Sequence, residues 1–238
     1  MDFKNLNIDI YADGANFESI SHFNNKKFIK GFTTNPTLMK NDGVFDYEEH
    51  SKKIANLVFP KPVSFEVFSD DFDKMYEQAI KISSWNSNIN VKIPITNTKG
   101  HSSKELIRNL SLKNVKLNIT AIFTLNQVED VFEVLDNSTF SIVSIFAGRI
   151  ADTGIDPEII INESVKIKEL NKIKSKILWA SPREVYNIFQ AEKCRCDVIT
   201  VAFNLLKKID LIGKNLDEFS KETVQMFYDD AIAAGYKL

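Results

Sequence analysis

The sequence predicts a single α/β domain closed as a (β/α)8 barrel, with one further helix after the last strand. Three observations lead to that fold. Eight short β-rich runs alternate with polar stretches whose apolar residues recur every three or four positions. Parallel strands need crossovers of about a dozen residues, which these stretches supply. Eight such units in 238 residues match a closed barrel. An open doubly wound sheet is the alternative, but it usually has fewer strands, and no G-x-G-x-x-G follows any run.

Taken in order, the runs are NIDIYAD (7–13), GFTTN (31–35), VSFEV (63–67), NVKIPI (90–95), KLNIT (116–120), FSIVSIFA (140–147), KILWAS (176–181) and DVITVAF (197–203). The fourth shows the pattern well: Ile89, Val91, Ile93 and Ile95 mark a buried strand that Pro94 closes. Between runs, 70–84 places Phe72, Met75, Tyr76, Ala79, Ile80 and Ile82 largely on one helical face, and 124–137 repeats this with Val128, Val131, Phe132 and Leu135. Asp156-Pro157-Glu158 reads as a helix start. With only 8 Gly and 6 Pro, no linker divides the chain, so 1–238 is read as one domain. Residues 204–238 form a helical extension, packing on the barrel or on a neighbouring subunit.

Composition narrows the function. A 44% apolar, 26% charged chain is ordinary for a globular protein with a sizeable core. A net charge of −2 argues against nucleic acid and anionic membranes as partners. No apolar stretch approaches membrane-spanning length, and MDFKNLNIDIYADG shows no leader pattern, so a cytoplasmic protein is expected. The two cysteines, Cys194 and Cys196, are too few for a structural zinc site and are read as free thiols. His22, His50 and His101 fall in helices or loops, away from strand ends, so no metal is expected. The basic run 171–176 is read as a solvated loop, and the 18 phenylalanines as core.

Barrel active sites lie at the C-terminal strand ends. There the runs place Asp13, Thr33 to Asn35, Glu66, Lys92, Asn118 with Thr120, Ser144 with Arg149, and Ser181 with Arg183; the eighth offers only apolar groups and Thr200. Singly, each has a bland reading: Asp13 or Thr33 as a helix cap, Asn35-Pro36 as a turn, Glu66 with Lys92 as a structural ion pair. Collected at one mouth, they read as a site. Desolvation favours a lysine's neutral amine, which adds to a carbonyl to give a Schiff base, an electron sink for breaking a carbon–carbon bond. Asp13 and Glu66 supply proton acceptors, Asn35, Asn118 and Ser144 hydrogen-bond to hydroxyls, and Arg149, Ser181 and Arg183 hold an anionic end.

YADGAN (11–16), GFTTNPT (31–37), VKIP (91–94), LNIT (117–120), SIFAGRI (144–150) and ASPR (180–183) together resemble the signatures of the transaldolase family, over residues 8–203 and in the same order. The resemblance implies a cofactor-free TIM barrel that moves a dihydroxyacetone unit from a ketose phosphate (fructose 6-phosphate or sedoheptulose 7-phosphate) to an aldose phosphate. By it, Lys92 matches the Schiff-base lysine, and Asp13 the acid/base at the C4 hydroxyl. Glu66 and Thr120 match the holders of a catalytic water, while Asn35, Asn118 and Ser144, with Thr33 beside them, match the dihydroxyacetone site. Arg149, Ser181 and Arg183 match the phosphate group's partners. The short branch of the family assembles as rings of five or pairs of rings. Relatives that are simple fructose 6-phosphate aldolases carry Tyr at Phe146 and Gln at Glu66, so the resemblance favours transfer. Ile145 stands where many relatives have Pro, and Pro182 removes an N–H from the anion loop, which leaves room for a sulfonated or other unusual ketose. The same residues would also suit a simple aldolase that releases dihydroxyacetone, or a non-catalytic barrel that binds sugar phosphates.

Overall fold

Eight parallel strands close on themselves in chain order: β1 (Asp9–Asp13), β2 (Ile29–Thr33), β3 (Val63–Glu66), β4 (Ile89–Pro94), β5 (Leu117–Ile122), β6 (Ser141–Ile145), β7 (Lys176–Trp179) and β8 (Val198–Ala202), the last pairing again with the first. This computed structural model describes Phe3 and residues 6–238. The expected TIM barrel is the observed fold. Strand boundaries shift by one or two residues from the sequence pattern, and two of these shifts bear on the geometry. β2 begins at Ile29, two residues before the expected GFTTN. β5 runs on to Ile122 through Ala121, whose φ of 59° accompanies a register shift against β6, as at a bulge.

The helices are α1 (Phe17–Asn24), α2 (Pro36–Asn41), α3 (Tyr47–Val58), α4 (Phe72–Ser83), α5 (Lys104–Leu112), α6 (Leu125–Val134), α7 (Ala147–Ala151), α8 (Pro157–Leu170), α9 (Tyr186–Lys193), α10 (Phe203–Leu206) and α11 (Leu216–Ala233). Short polar side chains start several of them. Asn16, Asn35, Asp46, Asp71 and Asp156 each accept a hydrogen bond from a first-turn amide that would otherwise have no partner. In α4 the face formed by Met75, Ala79 and Ile82 is buried, while Ile80 turns outward. Burying each large side chain of such a face contributes about 1.5–3 kcal/mol.

Inside the barrel, Tyr11 fills space that Gly31 leaves: a Cβ on Gly31 would lie 2.7 Å from the Tyr11 ring. Tyr11 packs there with Ile142, Leu178 and Val198, forming an apolar layer across the barrel. None of the described helices is long and apolar enough to cross a membrane.

The chain divides into two compact units, Met1–Leu206 and Lys207–Leu238. The second holds a short 3-10 turn, Ile209–Leu211, and α11. Asn215 caps α11 by accepting from the amides of Asp217 and Glu218, and the Lys214 ammonium sits 4.6 Å from the Phe219 ring centroid.

Candidate active site

Strand register gathers the chemistry. Glu66 of β3 lies beside Lys92 of β4, and Lys92 beside Asn118 of β5. Hydrogen-bonded strands run about 4.8 Å apart, so these side chains stand side by side on the barrel wall. Asp13 of β1 is likewise level with Thr33 of β2, and Thr33 with Ser64 of β3. All but Ser64, which is fully buried behind them, line a cavity of about 410 Å³ at the C-terminal strand ends.

Lys92 is 6% exposed. Its ammonium donates to the Thr34 carbonyl at 2.9 Å and lies 3.1 Å from Glu66 Oε2. A buried charge needs such partners, and here they also aim Nζ at the cavity. Across from it, Thr33 Oγ1 donates to Asp13 Oδ1 at 2.6 Å. Because that proton is committed, the 2.5 Å contact between Thr33 and Thr200 has Thr200 as donor. Burial pushes the Asp13 carboxyl above its usual range; the Lys92 charge and the Thr33 hydrogen bond oppose this only in part, and Glu66 adds to it. A carboxyl in that state can hold or release a proton closer to neutrality than an exposed aspartate.

A second chain of hydrogen bonds runs along the wall. Ser144 Oγ donates to Asn118 Oδ1 at 2.6 Å, and Asn118 Nδ2 donates to Ser64 Oγ at 3.0 Å. Thr120 Oγ1 is buried in the cavity wall with no hydrogen-bond partner among the described residues, a hydroxyl suited to a polar ligand. Asn35 does two jobs: its Oδ1 caps α2 by accepting from the Leu38 amide at 2.9 Å, and the residue lines the cavity. The turn reading and the site reading of Asn35-Pro36 are thus compatible.

The far side carries Phe146, Arg149 and Ser181. Arg149 Cζ lies 5.7 Å from the Phe146 ring, which packs 5.6 Å from Phe123. Ser181 takes a φ of 58°, a left-handed conformation uncommon outside glycine and asparagine and disfavoured before proline. This turn presses on α7: a Cβ on Gly148 would sit 1.6 Å from the Ser181 carbonyl oxygen. Gly148→Ala should therefore destabilise the fold by about 1–3 kcal/mol, measurable by thermal denaturation, and displace Ser181 from the cavity.

Arg183 departs from the group. Its Nε donates to both Asp152 carboxylate oxygens at 3.1 Å, its Nη2 contacts the same acid, and it does not line the cavity. This pairing holds the Asp152 carboxyl below its usual range. The other expected residues, Asp13, Thr33, Asn35, Glu66, Lys92, Asn118, Thr120, Ser144, Phe146, Arg149 and Ser181, share the one cavity.

Three further residues serve the site without having stood out in the sequence. Thr200 sits in an apolar strand, and Ser64 reads as small core filler. Tyr47 lies 19 residues before Glu66, yet its hydroxyl donates to the Glu66 carbonyl at 2.8 Å and accepts from the Glu66 amide at 3.0 Å. Burial raises the Tyr47 phenol, which stays protonated for that role.

Comparison with known proteins gives a consistent family. A model described as Transaldolase/Fructose-6-phosphate aldolase matches residues 10–237. A "Probable transaldolase" of Carboxydothermus hydrogenoformans is 35% identical over 85% of this chain and 90% of its own length. A "Probable transaldolase" of Clostridioides difficile is 34% identical over 89% and 95%, and one of Thermoplasma volcanium is 36% identical over 83% and 86%.

Proposed function

The chain belongs to the transaldolase/fructose-6-phosphate aldolase family and is an enzyme of the transaldolase type, and from that premise we propose how its residues carry the reaction. Lys92 is the nucleophile. Its neutral amine adds to the C2 ketone of a ketose phosphate, and loss of water gives an iminium ion. Glu66, 3.1 Å away, accepts the proton that leaves Nζ, and with Thr120 it holds the water exchanged in forming and hydrolysing the imine. Asp13 removes the C4 hydroxyl proton, the C3–C4 bond breaks, and its electron pair flows into the iminium to leave an enamine on Lys92. The aldose phosphate departs. An acceptor aldehyde then takes the enamine carbon, Asp13 returns the proton to the new hydroxyl, and hydrolysis frees the product and the lysine.

The remaining polar groups position the sugar. Asn35, Asn118 and Ser144, with Thr33 beside them, bind the hydroxyls of the dihydroxyacetone unit, and Arg149 and Ser181 bind the anionic end. Arg183 strengthens the field at that end and can join the phosphate by exchanging its Asp152 contact. Accordingly Arg149→Ala should raise KM for a ketose phosphate about tenfold or more, and Arg183→Ala several-fold less. Steady-state kinetics on both variants would check the order.

The observation that carries this reading is the buried Lys92 amine in a cavity wall it shares with two carboxylates. Incubating the enzyme with fructose 6-phosphate, with and without erythrose 4-phosphate, tests it. Transfer product should form only with the acceptor, and dihydroxyacetone released at a matching rate without it would instead mark a simple aldolase. Phe146 supports transfer, because a phenyl ring has no proton to give the enamine. Phe146→Tyr should raise acceptor-free dihydroxyacetone release on the order of 10²-fold, the scale of one added general acid.

We also place the enzyme in the cytoplasm, in sugar-phosphate metabolism of the pentose phosphate type, a setting in keeping with its buried free thiols Cys194 and Cys196. It assembles as a homo-oligomer, a pentamer or a pair of pentamers, with the helical extension 204–238 packing against a neighbouring copy. Sedimentation of the full chain would measure this.

A further inference from the structure

The barrel has a second opening, at the N-terminal ends of its strands. A cavity of about 570 Å³ lies there, and it shares no lining residue with the cavity that holds Lys92. Its rim carries Lys30, Lys116 and Lys176 against a single acid, Asp9. Lys176 engages Asp9 at 2.6 Å, and Lys116 donates to the Ser87 carbonyl at 2.8 Å. Lys30 and Lys116 have no acidic partner among the described residues, so the mouth is net positive in a chain that is net negative.

The floor adds directed polarity. Side chains on a strand alternate between faces at about 3.3 Å per residue, so Asn90 lies below Lys92 on β4 and Tyr11 below Asp13 on β1. Asn90 is 1% exposed and lines this cavity, yet its Nδ2 has no hydrogen-bond partner among the described residues. Buried donors are rarely left unpaired, and an anionic oxygen entering this cationic cavity would match this one, as a ligand hydroxyl would match the unpaired Asn88 Oδ1 of the same lining. The Tyr11 phenol on the same floor is pushed up by burial and next by Asp9, so it too stands as a hydroxyl donor. Phe59 and Phe140, both exposed, complete the wall with apolar surface.

We propose that this lower mouth binds a phosphate monoester carried on an aromatic or other apolar group, at a site separate from the one that performs the chemistry. The phosphate lies between Lys30 and Lys116 above the Asn90 amide, and the apolar part lies against Phe59 and Phe140. Free sugar phosphates lack the apolar part and fit it less well.

Phenyl phosphate is the probe, and isothermal titration the measurement. Arg149→Ala removes the principal cation of the upper cavity and weakens phosphate binding there, so a site whose affinity is the same in R149A as in the native protein lies elsewhere. The R149A protein should keep one site for phenyl phosphate, weakened by added salt. The triple variant R149A/K30A/K116A should bind it at least about tenfold more weakly, a change of about 1.4 kcal/mol. Lys30 and Lys116 are exposed, so K30A/K116A in the otherwise native protein should keep its unfolding midpoint and its transfer turnover. Loss of all binding in R149A, or equal affinity in R149A and the triple variant, would overturn the proposal.

Discussion

Replacing Lys92 by methionine is expected to lower transfer by about 10⁴-fold or more, the scale of loss when an enzyme's nucleophile is removed. Methionine fills much of the lysine stem's volume but offers no amine, so neither carbinolamine nor imine can form. The same change leaves the Glu66 carboxylate, 18% exposed at its side chain, without the ammonium 3.1 Å away. An ion pair broken on one side is destabilising, whereas removing both charges is close to neutral. Lys92→Met should therefore unfold at a lower temperature than the native protein, and Lys92→Met/Glu66→Gln should recover part of that loss without recovering activity. Turnover and thermal denaturation on the two variants would separate the catalytic role from the structural one. If Lys92→Met retained transfer, the enzyme would have to use another nucleophile.

Asp13→Asn is expected to move activity and stability in opposite directions. Activity should fall by about 10²–10⁴-fold, because an amide cannot take the C4 hydroxyl proton. Stability at neutral pH should rise. The folded state holds the Asp13 carboxyl above its ordinary value, chiefly through burial, so between the ordinary and raised values the folded chain binds more protons than the unfolded one. Stability is then lost as pH climbs through that window, and the whole penalty is in place above it. Asparagine carries no such penalty. The gain in unfolding midpoint of Asp13→Asn over the native protein should be small near pH 4 and grow toward neutrality, as thermal denaturation across that range would show. A gain that shrank with rising pH would reverse the sign assigned to Asp13.

Most of the barrel was legible in the chain because its strands are short, apolar and regularly spaced, and because parallel pairing leaves few alternatives. Lys92 stood out since a lysine inside NVKIPI breaks an otherwise apolar strand. Thr200 did not, because VITVAF reads as buried core, and only closure of β8 onto β1 brings its hydroxyl to Thr33. Ser64 was hidden in the same way: a serine in VSFEV is common filler until strand register sets it by Asn118. Tyr47 supports Glu66 from a helix on the preceding crossover, a contact that no local spacing encodes. Arg183 shows a tertiary partner that no motif announces. Its place in ASPR suggests the cavity, but Asp152, on a separate segment at the end of α7, holds its guanidinium. Sequence patterns report which residue types share a mouth, and tertiary partners decide where each charge points.

On the proposed mechanism Lys92 forms a covalent imine with a ketose phosphate and retains a three-carbon fragment after C3–C4 cleavage. Borohydride reduction during incubation with fructose 6-phosphate, followed by intact mass and peptide mapping, tests it most directly. The expected result is a single reduced dihydroxyacetone adduct, carried by the peptide containing Lys92 and missing in Lys92→Met. An unmodified Lys92 with fructose 6-phosphate, sedoheptulose 7-phosphate and a sulfonated ketose alike, or an adduct on a different lysine, would contradict it.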